Sequence, residues 1–195
     1  MTDSHTQATD DAPTAQASLP EAPTAAATTL EAPSEGDAAI LDRPGVRLVR
    51  AALRAAGITG AVRVLPATAS TAATAAEQIG CPVGAIANSL IFEADGAPLL
   101  VLTSGAHRVD TAALAERIGA ARIRRASADL VREATGQAIG GVAPFGHPAP
   151  VRTLVDETLA AYPEIWAAAG HHQTVFPTDF ARLVSATGGE VVAVD

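Results

Sequence analysis

Ile86-Ala87-Asn88-Ser89-Leu90-Ile91-Phe92-Glu93-Ala94, then Asp95-Gly96-Ala97-Pro98, then Leu99-Leu100-Val101-Leu102-Thr103, is the stretch whose reading sets the fold class. Two largely apolar runs, 85–94 and 99–103, flank an interruption that carries Asp-Gly, the dipeptide that accepts the positive φ of tight hairpin turns. This predicts an antiparallel hairpin. Upstream, Val46, Val49, Ala52, Leu53 and Ala56 recur at helical spacing and Gly57 stops the run. A short strand over Val62–Leu65 follows, then a helix from about Thr71 to Ile79, entered through Ser70 as N-cap and closed by Gly80. Downstream come a helix over Thr111–Ile118 capped by Asp110, a strand at Ala121–Arg125, and a helix over roughly 127–134 ending at Thr135-Gly136. Strands are expected at Val151–Val155, Ile165–Ala169, Thr174–Phe176 and Glu190–Val194, with a helix over about 178–186 before the last. Hairpins mixed with helices, without strict strand–helix alternation, predict an α/β (α+β) fold built on a mixed, partly antiparallel sheet flanked by helices.

Composition narrows the function. The chain has 195 residues, 48% of them apolar, enough for one core of ordinary size. No apolar run approaches the roughly 18–20 residues that span a bilayer, so no membrane role is expected. Nor does the N-terminus read as a secretory signal. Residues 1–42 are rich in Ala, Thr, Pro and acids, with an approximate repeat of Glu21-Ala22-Pro23-Thr24 in Glu31-Ala32-Pro33-Ser34. Such a segment buries too little apolar surface to offset its ordering entropy and is expected to be disordered, with 43–195 as the folded domain. The net charge of −8 comes mostly from that segment, which holds seven acids and no Arg or Lys before residue 41. The remainder is nearly neutral, which argues against a protein gripping a long nucleic-acid backbone, DNA included, by charge alone. All 13 basic residues are arginine; with no lysine, neither a Schiff base nor a P-loop lysine can form. Cys81 is the single cysteine, so an internal disulfide is excluded; it reads as a small apolar side chain in a reducing, cytoplasmic setting.

Gly140-Gly141-Val142-Ala143-Pro144-Phe145-Gly146-His147-Pro148 has too many glycines and prolines for a helix or strand and must be a loop with unusual backbone angles. Three further segments flank it in order: Thr71-Ala72-Ala73-Thr74-Ala75-Ala76 leading to Gly80-Cys81-Pro82-Val83-Gly84; the hairpin with Asn88-Ser89-Leu90, leading to His107-Arg108-Val109-Asp110; and Val155-Asp156-Glu157 followed by Trp166-Ala167-Ala168-Ala169-Gly170. Together these resemble the YbaK/ProX-like family, also found as the editing insertion of bacterial prolyl-tRNA synthetases. The likeness covers about residues 44–195, and Gly-Gly-x-x-Pro-Phe-Gly is its most specific part.

The resemblance implies a curved mixed sheet and hydrolysis of the ester joining a wrong amino acid to its tRNA, with no metal and no organic cofactor. The implied partners are the 3′ end of a mischarged tRNA and a synthetase. Asn88, Gly140, Gly141, Gly146 and His147 become the candidate catalytic set, and Ser89, Thr103, Val142, Pro144, Phe145, Asp156, His171 and His172 the candidate substrate contacts. One departure stands out: most members carry a catalytic or substrate-orienting lysine where this chain has Asn88. Two readings follow, a deacylase relying on neutral hydrogen-bond donors, or a module that binds aminoacyl-tRNA without turnover. The glycines can bring backbone N–H groups close to a carbonyl or ribose, or can simply let the loop turn. Asp156 fits either a general base or a helix-capping carboxylate. His107 fits capping and orienting the next helix better than reacting. Adjacent histidines on a strand would point to opposite faces, so only one of His171 and His172 is expected at the pocket. Arg122, Arg124 and Arg125 read as a solvated strand rather than a site that steers tRNA.

Overall fold

The structure, a computed structural model, describes residues 34–195; most of the N-terminal segment expected to be disordered lies outside the described residues. The helices are α1 (Glu35–Leu41), α2 (Pro44–Ala55), α3 (Ala72–Ile79), α4 (Thr111–Ile118), α5 (Ala128–Thr135) and α6 (Phe180–Thr187). The strands are β1 (Arg63–Val64), β2 (Ile86–Ala94), β3 (Ala97–Ser104), β4 (Ile123–Arg125), β5 (Arg152–Asp156), β6 (Ile165–Ala168), β7 (Thr174–Thr178) and β8 (Glu190–Val192). They form one mixed sheet in the order β1-β7-β6-β2-β3-β5-β8, with β4 pairing β2. The β2–β3, β2–β4, β6–β7 and β1–β7 pairs are antiparallel, and β2–β6, β3–β5 and β5–β8 are parallel.

The hairpin turn is tighter than expected. Asp95 and Gly96 both have positive φ, 51° and 88°, so two residues reverse the chain and β3 starts at Ala97 instead of Leu99. Pro98 is tolerated because it sits next to the turn, before β5 joins β3 at Leu99 and before any N–H would be needed on that side. The Asp95 carboxylate accepts the N–H groups of Ala121 (3.0 Å) and Arg122 (2.9 Å), tying β4 to the hairpin end.

Two other local expectations are corrected. The N-cap of α3 is Thr71, whose Oγ1 accepts the N–H of Thr74 at 3.1 Å, not Ser70. Helix α1 falls inside 1–42, the stretch expected to lack order. A capping box holds its start: Ser34 Oγ accepts the Asp37 N–H at 3.2 Å, and Asp37 Oδ2 accepts the Ser34 N–H at 3.3 Å.

Strand pairing sorts the side chains onto two faces. One face carries Leu100, Leu102, Val155, Ile165, Ala167 and Phe176, packed with Val49 and Leu53 of α2 and Leu183 of α6. On the other, Phe92, Leu99, Val101 and Leu154 pack against Leu114 of α4. Further along it, Ile86, Trp166 and Val175 pack against Ala75 and Ala76 of α3. Between these two apolar groups, on the same face, Asn88 of β2 stands opposite Thr103 of β3.

Candidate active site

A break in strand pairing makes the cleft. β3 covers one edge of β2 from Ala87 to Ala94. The other edge is shared: β6 takes Ile86–Ala87 and β4 takes Phe92–Ala94. Asn88–Leu90 therefore have no strand partner on that edge, and Ile91 has only the N–H of Ala126 on its carbonyl, at 3.4 Å. The splayed strands leave two adjoining hollows. The larger, about 740 Å³, is lined by Asn88, Thr103, His107, Arg108, Arg125 and Gly140, among others. The smaller, about 250 Å³, adds Trp166, Ala168, His171, His172 and Thr174. Asn88, Ser89, Leu90, Ile139, Gly140 and Val142 line both, so the two form one cleft with the β2 edge facing the glycine loop.

The loop is held from beneath by Gln137. Buried at 5% exposure, this side chain accepts the Ala143 N–H on Oε1 at 2.7 Å, while the Gln137 backbone N–H donates to Thr135 Oγ1 at 3.1 Å. Sequence reasoning had not singled it out, since nothing local marks a glutamine as a loop anchor. Gly140 turns the chain at φ +90°, and the Gly141 N–H closes the turn on Ala138 O at 3.1 Å. A Cβ on Gly141 would lie 2.8 Å from the backbone of His171, so glycine is required there for close approach and not for its angles. The N–H groups of Gly140 and Val142 have no acceptor among the described residues. Gly141, expected to offer an N–H to substrate, already spends it within the turn.

The second half of the loop leaves the cleft. Ala143 is fully buried in the opposite core, where Phe145 packs against Phe176 with ring centroids 5.6 Å apart. Gly146, at φ +81°, sits against the backbone of Leu48 and Val49. The His147 ring donates from Nε2 to Ala143 O at 2.9 Å, and burial holds its pKa below the ordinary histidine value. Pro144, Phe145, Gly146 and His147 therefore do not line the cleft. They border a separate shallow hollow beside Thr153 and Thr187. The sequence signature is contiguous, but its chain passes from one face of the sheet to the other.

Asp156 also departs from its expected place. It is 0% exposed and lines neither hollow. Its Oδ2 accepts the Ser104 N–H (2.9 Å) and the Thr103 hydroxyl (3.3 Å), and its Oδ1 the N–H (3.0 Å) and hydroxyl (2.7 Å) of Thr158. The capping alternative is realised: Asp156 caps the short 3-10 turn Glu157–Ala161. His107 does not cap α4, a role taken by Asp110 through the N–H groups of Ala112 and Ala113. Instead it lines the larger hollow, with Nδ1 3.3 Å from Asp156 Oδ2.

His171 and His172 lie in the turn between β6 and β7, not on a strand, and their rings stack with centroids 3.9 Å apart. Both reach the smaller hollow, which corrects the expectation of opposite faces. Burial, then the adjacent His172 and Arg43, hold the His171 pKa below the ordinary value, so a neutral ring is favoured. Ser89 lines both hollows and its hydroxyl is buried without a hydrogen-bond partner. Arg125 and Arg108 are exposed at the larger hollow and have no carboxylate within 4.0 Å among the described residues. Arg124 is bound to Glu93, its Nε 3.0 Å from Oε1, and Arg122 lies outside the cleft. Cys81 is half-buried against the Ile86–Trp166 group, and burial pushes its thiol pKa up, which disfavours the reactive thiolate.

With this geometry in place, the comparisons are specific. Residues 66–185 match the family described as the aminoacyl-tRNA editing domain, and the chain belongs to it. It is 32% identical over 104 residues to the uncharacterized protein YwhH of Bacillus subtilis (strain 168), covering 53% of this chain and 66% of that one. It is 28% identical over 130 residues to the proline–tRNA ligase of Lactobacillus gasseri, covering 62% of this chain and 23% of the ligase. The chain thus spans just under two thirds of the first relative and less than a quarter of the second. Among solved structures, "a putative trans-editing enzyme for prolyl tRNA synthetase" superposes with a TM-score of 0.73 at 38% identity, covering 78% of this chain and 98% of that one. The curved mixed sheet flanked by helices is the fold these relatives share.

Proposed function

We propose that this protein is a trans-editing deacylase: it takes the 3′ end of a mischarged tRNA in the cytoplasm and hydrolyses the aminoacyl ester with water, using residues 43–195. The observation that carries this reading is the junction of the two hollows. There the Asn88 side chain faces a loop whose Gly140 and Val142 N–H groups have no other partner among the described residues. An ester needs little activation; what it needs is a fixed carbonyl and donors aimed where negative charge develops. An amide from Asn88 and backbone N–H groups are suited to that task. The larger hollow, with Arg108 and Arg125 exposed on its wall, fits the terminal nucleoside and its phosphate. The smaller one, bounded by Trp166, Ala168 and the His171–His172 pair, fits the amino-acid side chain and sets which residue is accepted.

The test is deacylation of a panel of mischarged tRNAs by the purified protein. Release of amino acid above the buffer rate for at least one pair is expected, and no release for any pair refutes the catalytic reading. Asn88 itself favours a second reading, a module that binds aminoacyl-tRNA without turnover, because a neutral amide replaces the family's ammonium. Saturable binding of a non-hydrolysable aminoacyl-adenosine analogue, with no turnover of the matching ester, would establish that reading instead.

A further inference from the structure

Proton transfer is the step left unassigned by donors alone, and the larger hollow holds one group built for it. We propose that His107 is the general base of the hydrolysis, with Asp156 as its positioning residue; this rests on the deacylase reading above.

The placement follows from register and burial. Asn88 and Thr103 are direct cross-strand partners on β2 and β3, so their side chains stand side by side on the cleft face. The Thr103 hydroxyl donates to Asp156 Oδ2, and His107 Nδ1 lies 3.3 Å from that same oxygen. A polar line therefore runs from the oxyanion donor Asn88 through Thr103 and Asp156 to the ring of His107. Asp156 is fixed by four hydrogen bonds from Thr103, Ser104 and Thr158, which is more than a turn cap requires. Asp195 Oδ2 lies 3.4 Å from the same Nδ1, and its backbone oxygen is held by Arg117 at 2.6 Å. Two carboxylates on the Nδ1 side favour the tautomer with the proton on Nδ1, leaving the lone pair of Nε2 as the basic site.

His107 Nδ1 is buried and, despite its distance, lacks hydrogen-bond alignment with either carboxylate. Catalytic hydrogen bonds that are long or misaligned without substrate commonly tighten when it binds. The alternative bases are less well placed. Neither His171 nor His172 has a carboxylate within 4.0 Å among the described residues, and the Nδ1 of His171 already accepts the Gln173 N–H at 3.3 Å. Asp156 is fully buried and cannot meet a water in the cleft.

The step balances without a co-reactant. The water oxygen bonds to the ester carbonyl carbon as one water proton passes to His107 Nε2, and the carbonyl oxygen becomes an oxyanion held by Asn88 and the loop amides. Collapse breaks the bond between that carbon and the ribose oxygen, which takes the proton back from His107. The products are the free amino acid and the tRNA with its terminal hydroxyl restored.

The experiment is deacylation by the full chain and by His107→Ala, on the best substrate of the panel, with and without added imidazole. A general base contributes roughly 10²–10⁴-fold, so kcat is expected to fall by at least about a hundredfold with KM within threefold. Imidazole in the buffer is expected to restore turnover in proportion to its concentration, leaving the parent protein unaffected. A merely structural role for the ring would not give that rescue. Far-ultraviolet circular dichroism and thermal unfolding check that the variant is folded, and His107→Gln, which keeps a polar side chain of similar reach, serves if alanine unfolds it. A fall in kcat below threefold, or a loss in a folded variant that imidazole does not reverse, overturns the assignment. If the parent protein itself releases no amino acid, the deacylase reading fails and takes this one with it. An active parent with a fully active variant removes only His107.

Discussion

Gly141→Ala tests whether the loop's seat on the His171 turn sets the geometry of the cleft. The added Cβ would lie 2.8 Å from Cα and C of His171 and 3.0 Å from its N, all backbone atoms that cannot swing aside as a side-chain tip can. Reaching an ordinary 3.4 Å contact requires the loop and the turn to separate by about 0.6 Å. Gly141 does not have a positive φ, so the whole effect is steric. Overpacking of this kind costs about 1–3 kcal/mol. For a chain of this size that is a fall in Tm of roughly 2–12 °C. The shift also carries the neighbouring Gly140 and Val142 amides away from Asn88. Since a misplacement of about 1 Å can cost around 10²-fold in rate, a loss of about tenfold in kcat is expected at constant substrate. Differential scanning calorimetry and single-substrate deacylation measure the two effects. Gly57→Ala is the matched control: φ there is +68° with nothing within 4 Å, so only the left-handed backbone penalty of about 1–2 kcal/mol applies and the rate should hold. If Gly141→Ala keeps both the parent Tm and a rate within twofold, the loop–turn contact does not position the site.

Asn88→Lys supplies an ammonium where the neutral amide stands. A charge-assisted hydrogen bond is stronger than a neutral one by about 1–2 kcal/mol, so kcat/KM should rise roughly five- to thirtyfold with an unchanged circular dichroism spectrum; an unchanged rate shows that this position does not limit the chemistry. Acid sensitivity should trace in part to His147, whose pKa is lowered by burial relative to the unfolded chain. Below the ordinary value of 6.5 the unfolded state binds the proton first, so the stability present above that pH is lost as pH falls through the window down to the folded value. His147→Gln should flatten the fall in Tm between about pH 7 and pH 5, and an identical slope in calorimetry would remove His147 as a cause.

Much of this protein was decided locally and could be read from the chain. Asp95-Gly96 sets the hairpin because two successive positive φ angles suit those residues. Asp110 and Gly119 bound α4, and Gly80 closes α3, through hydrogen bonds and angles spanning only a few positions. The absence of lysine is likewise a fact of sequence with direct chemical weight. Even the capping box that starts α1 was present as Ser34-x-x-Asp37, but alanine-rich, acidic surroundings masked it. What the chain alone did not reveal depends on distance. The edge of β2 is exposed because β6 and β4 each stop short of covering it, and neither strand's own residues report where it ends against another. Gly140-Gly141-Val142 and Phe145-Gly146-His147 are neighbours in sequence yet part company, since apolar packing against Phe176 draws the second half into the opposite core. His107 meets Asp156 only because β3 and β5 run in parallel register and end together, bringing into one cluster residues that no local spacing connects. Local angles and caps fixed the elements; long-range burial and strand pairing chose which side chains share the cleft.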